Sequence, residues 1–315
     1  MLKRAFASVF LLIVSTQLAV AAAPEFGDKV SQCLAAQKPS TPEQEFELFY
    51  KLQMRAPAVM QNVTRLYYGK KLDQFGDLRL PDGTGPFPVA IVIHGGAWVA
   101  IANSDYMAPV ADLLTKAGIA TWNIEYSRIG TGGGWPGSFT SVGMAADYLR
   151  ELAKTYPLDL TRVISVGHSS GGHYALWLAG RHKIRSSSDI YMSNPLAIRG
   201  VLSLDGTPDL AAFGNLPRGR KIIPQLMGDG SPAEIADHMK DASPLELLPL
   251  EAKQTFITEQ SDRMSSMLGY IAKAQSKGDA AQYDVICPGN HFTTTDTENI
   301  EVREKIKTFA LELLR

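Results

Sequence analysis

Apolar residues along this chain fall into short continuous runs separated by stretches with helical spacing. Val89-Ala90-Ile91-Val92-Ile93 shows no polar alternation and Val163-Ile164 with Val166 almost none, the pattern of strands buried on both faces. Residues 119–124, 200–204, 255–258 and 283–286 read as further strands. Between them, residues 106–117 place Val110, Leu113 and Leu114 on one helical face and stop at Gly118. Residues 141–156 predict a second helix, and Tyr174, Ala175, Leu176, Leu178 and Ala179 a third. Upstream, a helix over 40–50 is capped by Thr41 ahead of Pro42 and Glu43, and residues 62–68 and 75–80 form an antiparallel edge pair. Residues 295–314 close the chain as an amphipathic helix. Strand and helix in alternation mean a mostly parallel central sheet with helices on both faces, whose ligands sit at the carboxyl ends of the strands. Residues 205–250 break the alternation with Pro208, Pro217, Pro224, Pro232, Pro244 and Pro249 and are expected to form a short cap insertion over the site.

The first residues change the picture of where this sheet works. Met1-Leu2-Lys3-Arg4, the apolar run Val9 to Val14 and the small residues Ala19 to Ala23 have the order of a secretory signal peptide, and Ser15, Thr16 and Gln17 leave the run short of a membrane span. The expected organisation is a signal peptide over 1–23, an N-terminal extension over 24–60 and one catalytic-size domain over 61–315. The mature protein is expected to be exported, periplasmic or secreted, with no stable membrane insertion. In such a compartment Cys33 and Cys287, the two cysteines of the sequence, are either a disulfide or two buried thiols. With 31 Lys+Arg against 32 Asp+Glu the surface offers nucleic acid no long-range attraction, and the expected partner is a small molecule of neutral or mixed charge.

Candidate chemistry gathers at four strand ends. Gly167-His168-Ser169-Ser170-Gly171 is G-x-S-x-G between strand and helix, a sharp turn that lifts a serine clear of the backbone. Val89 to Ile93 empties into His94-Gly95-Gly96-Ala97-Trp98, a loop able to aim backbone N–H groups inward beside that of Ser170. One further strand ends in acids, among them Glu259 and Asp262, and another in a loop with His291. The order is serine, acid, histidine.

On these residues the chain from about Asn62 onward resembles the α/β-hydrolase superfamily, and within it the small esterases and kynurenine-formamidase-like enzymes with an HGG-x-W loop. The resemblance implies an α/β-hydrolase fold with Ser169 as nucleophile, His291 as base and Asp262 as orienting acid. It implies oxyanion donors at Gly95, Gly96 and Ser170. It departs from the family in having Thr258-Glu259 where His-Gly precedes the acid, which sets a second carboxylate close to Asp262. Asp205 also ends a strand and is a rival acid, but Asp205-Gly206-Thr207 reads rather as a turn-capping aspartate. The activity expected is that of a secreted serine hydrolase, a carboxylesterase acting on small or short-acyl esters through an acyl-enzyme. The alternatives are an amidase or formamidase of the kynurenine formamidase type and a noncatalytic binding protein of the same fold.

Trp98, beside the glycine loop, and Trp135, after the glycine-rich residues 130–134, are the candidate substrate-binding rings. That glycine-rich stretch lacks the spacing of a dinucleotide or phosphate loop. His94 is expected to position its loop, His168 to pack or hydrogen-bond beside the nucleophile, and His173, His182 and His238 to be structural or solvated. No histidine pair has metal-ligand spacing, so neither metal nor cofactor is expected.

Overall fold

The computed structural model describes Ser31, Ala35 and residues 40–259 and 264–315. Its eight strands are β1 (Thr64–Tyr67), β2 (Phe75–Arg79), β3 (Phe87–Ile93), β4 (Ala120–Ile124), β5 (Leu158–His168), β6 (Gly200–Leu204), β7 (Lys253–Thr258) and β8 (Ala281–Val285). They form one sheet in the order β1-β2-β4-β3-β5-β6-β7-β8. β1 and β2 pair antiparallel, as do β2 and β4, and every later pairing is parallel. The unalternated apolar runs follow from this placement. β3, β4 and β6 lie inside the sheet and are covered on both faces, so no position along them calls for a polar side chain to meet water.

The pleat divides β3 between two cores. Val89, Ile91 and Ile93 face one with α3 (Gly137–Asp147), α5 (Ser170–Gly180) and α9 (Met264–Ser276), while Ala90 and Val92 face the other with α2 (Ala108–Lys116) and α10 (Ile300–Leu313). A short helix, α4 (Leu149–Leu152), follows α3. α5 is buried along its whole length, which explains why it is apolar all round rather than striped. Residues 205–250 fold into α6 (Leu210–Asn215), α7 (Gly219–Met227) and α8 (Pro232–Ala242). The prolines expected to break structure there partly begin it: Pro232 opens α8 behind a capping box in which Ser231 and Glu234 satisfy each other's backbone N–H. The insertion is fastened to α5 by Trp177 Nε1–H donating to the Asp241 carbonyl at 3.0 Å.

The segment before the sheet is the part whose position the sequence least disclosed. α1 (Pro42–Arg55) starts as expected, with Thr41 and Gln44 in a reciprocal capping box. It then lays Leu48, Phe49 and the fully buried Leu52 onto the α2/α10 core, and Arg55 pairs with Glu298 at 2.6 Å. The N-terminal extension thereby reaches the carboxyl edge of the sheet.

In the sheet, β3 has β4 on one side and β5 on the other, so successive crossovers leave it in opposite directions. The crevice at this switch point lies outside the ends of β3 and β5, where the glycine loop and the serine turn emerge.

Candidate active site

Ser169 stands between β5 and α5 with φ 57° and ψ −119°, a conformation that costs a side-chain-bearing residue about 1–3 kcal/mol and persists only where its surroundings enforce it. They do so by close contact. A Cβ on Gly167 would lie 2.1 Å from the Gly171 carbonyl oxygen, and one on Gly171 would lie 2.2 Å from that of Ile93. Strand, helix and glycine loop therefore touch through backbone alone, and both glycines of the motif are steric necessities. The Ser169 amide donates to the Leu204 carbonyl at 3.0 Å, which locks the turn to the end of β6.

Ser169 Oγ lies 2.9 Å from His291 Nε2. On the other side of the ring, His291 Nδ1 is hydrogen-bonded to Asp205 Oδ2, while Asp205 Oδ1 accepts from the Thr258 hydroxyl at 2.8 Å. Among the described residues the carboxylate at His291 is thus Asp205, the residue read from sequence as a turn cap; the expected Asp262 lies outside the described residues. The physical reason is register: His168 pairs with Leu204, so the residue after β6 stands beside the residue after β5. β7 is one strand further away. Glu259 at the end of β7 is also buried. Asp205, Glu259 and His291 form the one group among the described residues whose ligand-type atoms lie close enough together, within 4.8 Å, to hold a metal ion. Both ring nitrogens of His291 are already engaged by serine and aspartate.

The glycine loop also departs from expectation at one position. The Gly95 amide donates to the Tyr106 hydroxyl, which removes Gly95 from the expected oxyanion donors. Its carbonyl accepts from His94 Nδ1 at 2.7 Å. Since a peptide is planar and trans, fixing that oxygen fixes the direction of the Gly96 N–H on the same plane. Gly96, Ala97 and Trp98 follow with φ of 117°, 54° and 61°. Among the described residues no hydrogen bond takes the amides of Gly96 or Ala97. His94 Nε2 lies 2.9 Å from Glu125, which also accepts from the amides of Ser104 and Tyr126. Burial pushes the Glu125 carboxyl up, but His94, Arg128 and the Tyr126 amide outweigh it and hold the group below its usual range.

His168 donates from Nε2 to the His291 carbonyl at 2.8 Å and meets the Tyr106 hydroxyl through Nδ1 at 3.0 Å, a role that its place in the motif suggested only as packing or hydrogen bonding. His173 accepts from Trp98 Nε1 at 3.1 Å, and burial lowers its pKa to about 4.

A cavity of about 450 Å³ opens over Ser169 and His291. Gly96, Ala97, Ile101 and Phe292 line it, and α1 supplies Glu45, Phe46 and Phe49. From the 205–250 insertion only Arg218 reaches it, so the N-terminal helix rather than the insertion walls this cavity. Neither expected tryptophan does. Trp98 is buried beneath the loop, edge-on to Phe213 and bonded to His173, and Trp135 stacks on His238 with ring centres 4.0 Å apart. Their indoles were bound for packing, a fate that nothing in their spacing distinguishes from a lining role.

Residues 77–265 match the family model described as BD-FAE. Among curated proteins the chain is 24% identical to the esterase LipC of Mycobacterium tuberculosis, over 66% of this chain and 57% of that protein. It is 34% identical to the non-reducing polyketide synthase ausA of Penicillium brasilianum over 36% of its own length, a match that spans 5% of the synthase. Solved structures of similar fold include a truncated carbohydrate esterase from gut microbiota, with TM-score 0.66, 23% identity, and 79% of this chain and 95% of that one covered. Esterase B of Lactobacillus rhamnosis aligns with TM-score 0.69 at 15% identity, over 85% of this chain and 96% of the other. The mostly parallel sheet, its helices and these likenesses together make the fold that of an α/β-hydrolase. The stretch matched by the family model runs from β2 past β7 and takes in the glycine loop, the serine turn and Asp205, and on that match the chain belongs to the BD-FAE family.

Proposed function

We propose that this protein is a serine esterase that cleaves small, short-acyl carboxylic esters through an acyl-enzyme. The observation that carries the reading is the unbroken line Ser169 Oγ, His291 Nε2, His291 Nδ1, Asp205. His291 takes the Ser169 proton as Oγ attacks the ester carbonyl, and Asp205 holds the ring in the tautomer that leaves Nε2 free to accept. The charge that develops on the carbonyl oxygen is met by the N–H groups of Gly96, Ala97 and Ser170, the last at the head of α5. His291 then returns the proton to the departing alcohol, and water activated by the same base releases the acid.

Membership of the BD-FAE family and the esterase named among the relatives support an ester substrate. Export fits the disulfide at Cys287, since such bonds persist in oxidising compartments; Cys33, the only other cysteine of the sequence, and the expected signal peptide lie outside the described residues.

The test is a panel of acetyl to palmitoyl p-nitrophenyl esters, acetylated oligosaccharides, anilides and N-formylkynurenine, with a fluorophosphonate as site probe. Expected are ester hydrolysis, labelling confined to Ser169, and loss of both in Ser169→Ala. Faster turnover of N-formylkynurenine than of any ester would favour the formamidase. A folded protein that neither hydrolyses nor takes label would be a noncatalytic member of the fold.

A further inference from the structure

Tyr106 and His168 take no part in the reaction drawn above, yet they are 1% and 0% exposed and touch two of the loops that converge on Ser169. The ends of this line assign its hydrogens. The His291 carbonyl can only accept, so His168 Nε2 carries a proton and donates to it at 2.8 Å. The Gly95 amide can only donate, so the Tyr106 oxygen accepts from it and turns its own hydrogen toward His168 Nδ1, 3.0 Å away. In this arrangement every donor on the line has one acceptor. Burial keeps the hydroxyl proton in place by pushing the Tyr106 phenol well above its ordinary value.

The two loops joined in this way belong to no strand. His291 follows β8 in a turn where the Asn290 carbonyl accepts from the Thr293 amide at 2.8 Å, and the glycine loop has three positive φ values in succession. Sheet pairing therefore does not hold one against the other. We propose that Tyr106 and His168 are positioning residues, a buried hydroxyl–imidazole bridge that keeps the oxyanion loop and the His291 loop in register across the nucleophile. The proposal rests on the serine-hydrolase reading of the site. Gly95 is then held on both of its flanking peptides, by Tyr106 at its nitrogen and by His94 at its oxygen, so the Gly96 donor that shares the second peptide cannot shift without straining the bridge to the base loop. α1 backs the bridge, with the Phe49 ring edge-on to Tyr106 at 5.5 Å.

Tyr106→Phe keeps the ring and its packing and deletes the bridging hydroxyl, while His168→Gln keeps a donor toward His291 but displaces the acceptor for Tyr106 from the position of the ring Nδ1. Each should lower kcat on a short ester about 10- to 100-fold with KM held within about twofold, since a misplaced catalytic group costs turnover before it costs binding. The double variant should lose no more than the worse single, because the two act as one unit. Nuclear magnetic resonance without substrate supplies a second readout. In Tyr106→Phe the Gly95 amide should exchange faster, and the downfield proton on His291 Nδ1 should shift. Unchanged kcat in Tyr106→Phe, multiplying losses in the double variant, or a His291 resonance that stays put while Gly95 exchange accelerates would each overturn the bridge. A wild type that neither hydrolyses esters nor labels at Ser169 would sink the esterase reading, and the His291 resonance would still decide the bridge. Should Tyr106→Phe fail to fold, His168→Gln carries the same measurements.

Discussion

Asp205 accepts from two groups at once, His291 on one oxygen and the Thr258 hydroxyl on the other, so its orientation is set before any substrate arrives. Asp205→Asn would present an amide N–H to His291 Nδ1 and favour the tautomer whose Nε2 carries a hydrogen and cannot take the serine proton. On the precedent of serine proteases kcat should fall about 10⁴-fold with the fold intact, as read by ester kinetics beside circular dichroism. Glu259→Gln should cost far less; the reverse ranking at equal stability would move the acid to Glu259. A second titration is legible at His173. Its pKa falls from 6.5 in the unfolded chain to about 4 on burial, so between these values the unfolded state binds more protons. That contribution to stability is complete above pH 6.5, is lost as pH falls and levels off near pH 4, a change of about 3 kcal/mol at most. Urea titrations of wild type and His173→Gln across this window should show a slope that the variant lacks. At this scale the sequence disclosed what depends on neighbours in the chain, such as Gly167, Ser169 and Gly171. Asp205 was misread because its role comes from the pairing of β6 with β5, which no local pattern records.

Among the elements, α1 shows how a cap can be read and a destination missed. Thr41, Pro42 and Gln44 announce its start, but Phe46, Tyr50 and Met54 are apolar and exposed beside the docked Leu48 and Leu52, so no single apolar stripe points to its dock. The helix is both wall and core: Phe46 and Phe49 face the cavity while Leu52 is fully buried among the residues of α2 and α10. Leu52→Ala should therefore destabilise the protein by about 2–5 kcal/mol, the usual cost of a buried leucine, and also raise KM as the wall loosens. Phe46→Ala, at a ring 68% exposed, should leave the melting temperature within about 2 °C and change KM alone. Thermal melts and ester kinetics on the pair separate the two duties; a KM unmoved in both would show that α1 does not bound the substrate. The insertion teaches the complementary lesson. Its prolines read as breaks, but proline at the first turn of a helix is favoured, as at Pro232.

For the molecule as a whole, four strand ends on one edge of the sheet, those of β3, β5, β6 and β8, bring together groups from distant parts of the sequence. That convergence could be expected from the alternation of strands and helices. The roof over them could not, since it comes from a segment outside the alternation. The roof bears on substrate size. Phe46, Phe49, Ile101 and Phe292 line a cavity of about 450 Å³ together with Gly96 and Ala97 of the glycine loop. Each methylene added to an acyl chain gains about 0.8 kcal/mol, near fourfold in kcat/KM, while apolar wall remains to receive it. Past that point the chain must displace α1 or run out over Glu45 and Arg218, where burial of apolar surface gives way to desolvation of charged groups. In a p-nitrophenyl series from acetate to palmitate, measured below aggregation, kcat/KM should crest at or before butyrate and fall beyond it. Phe46→Ala should move the crest toward longer chains, because it opens the wall that limits them. A kcat/KM still climbing past octanoate in the wild type would mean that the acyl chain leaves by a groove other than this cavity, and the short-acyl assignment would fail with the site chemistry intact.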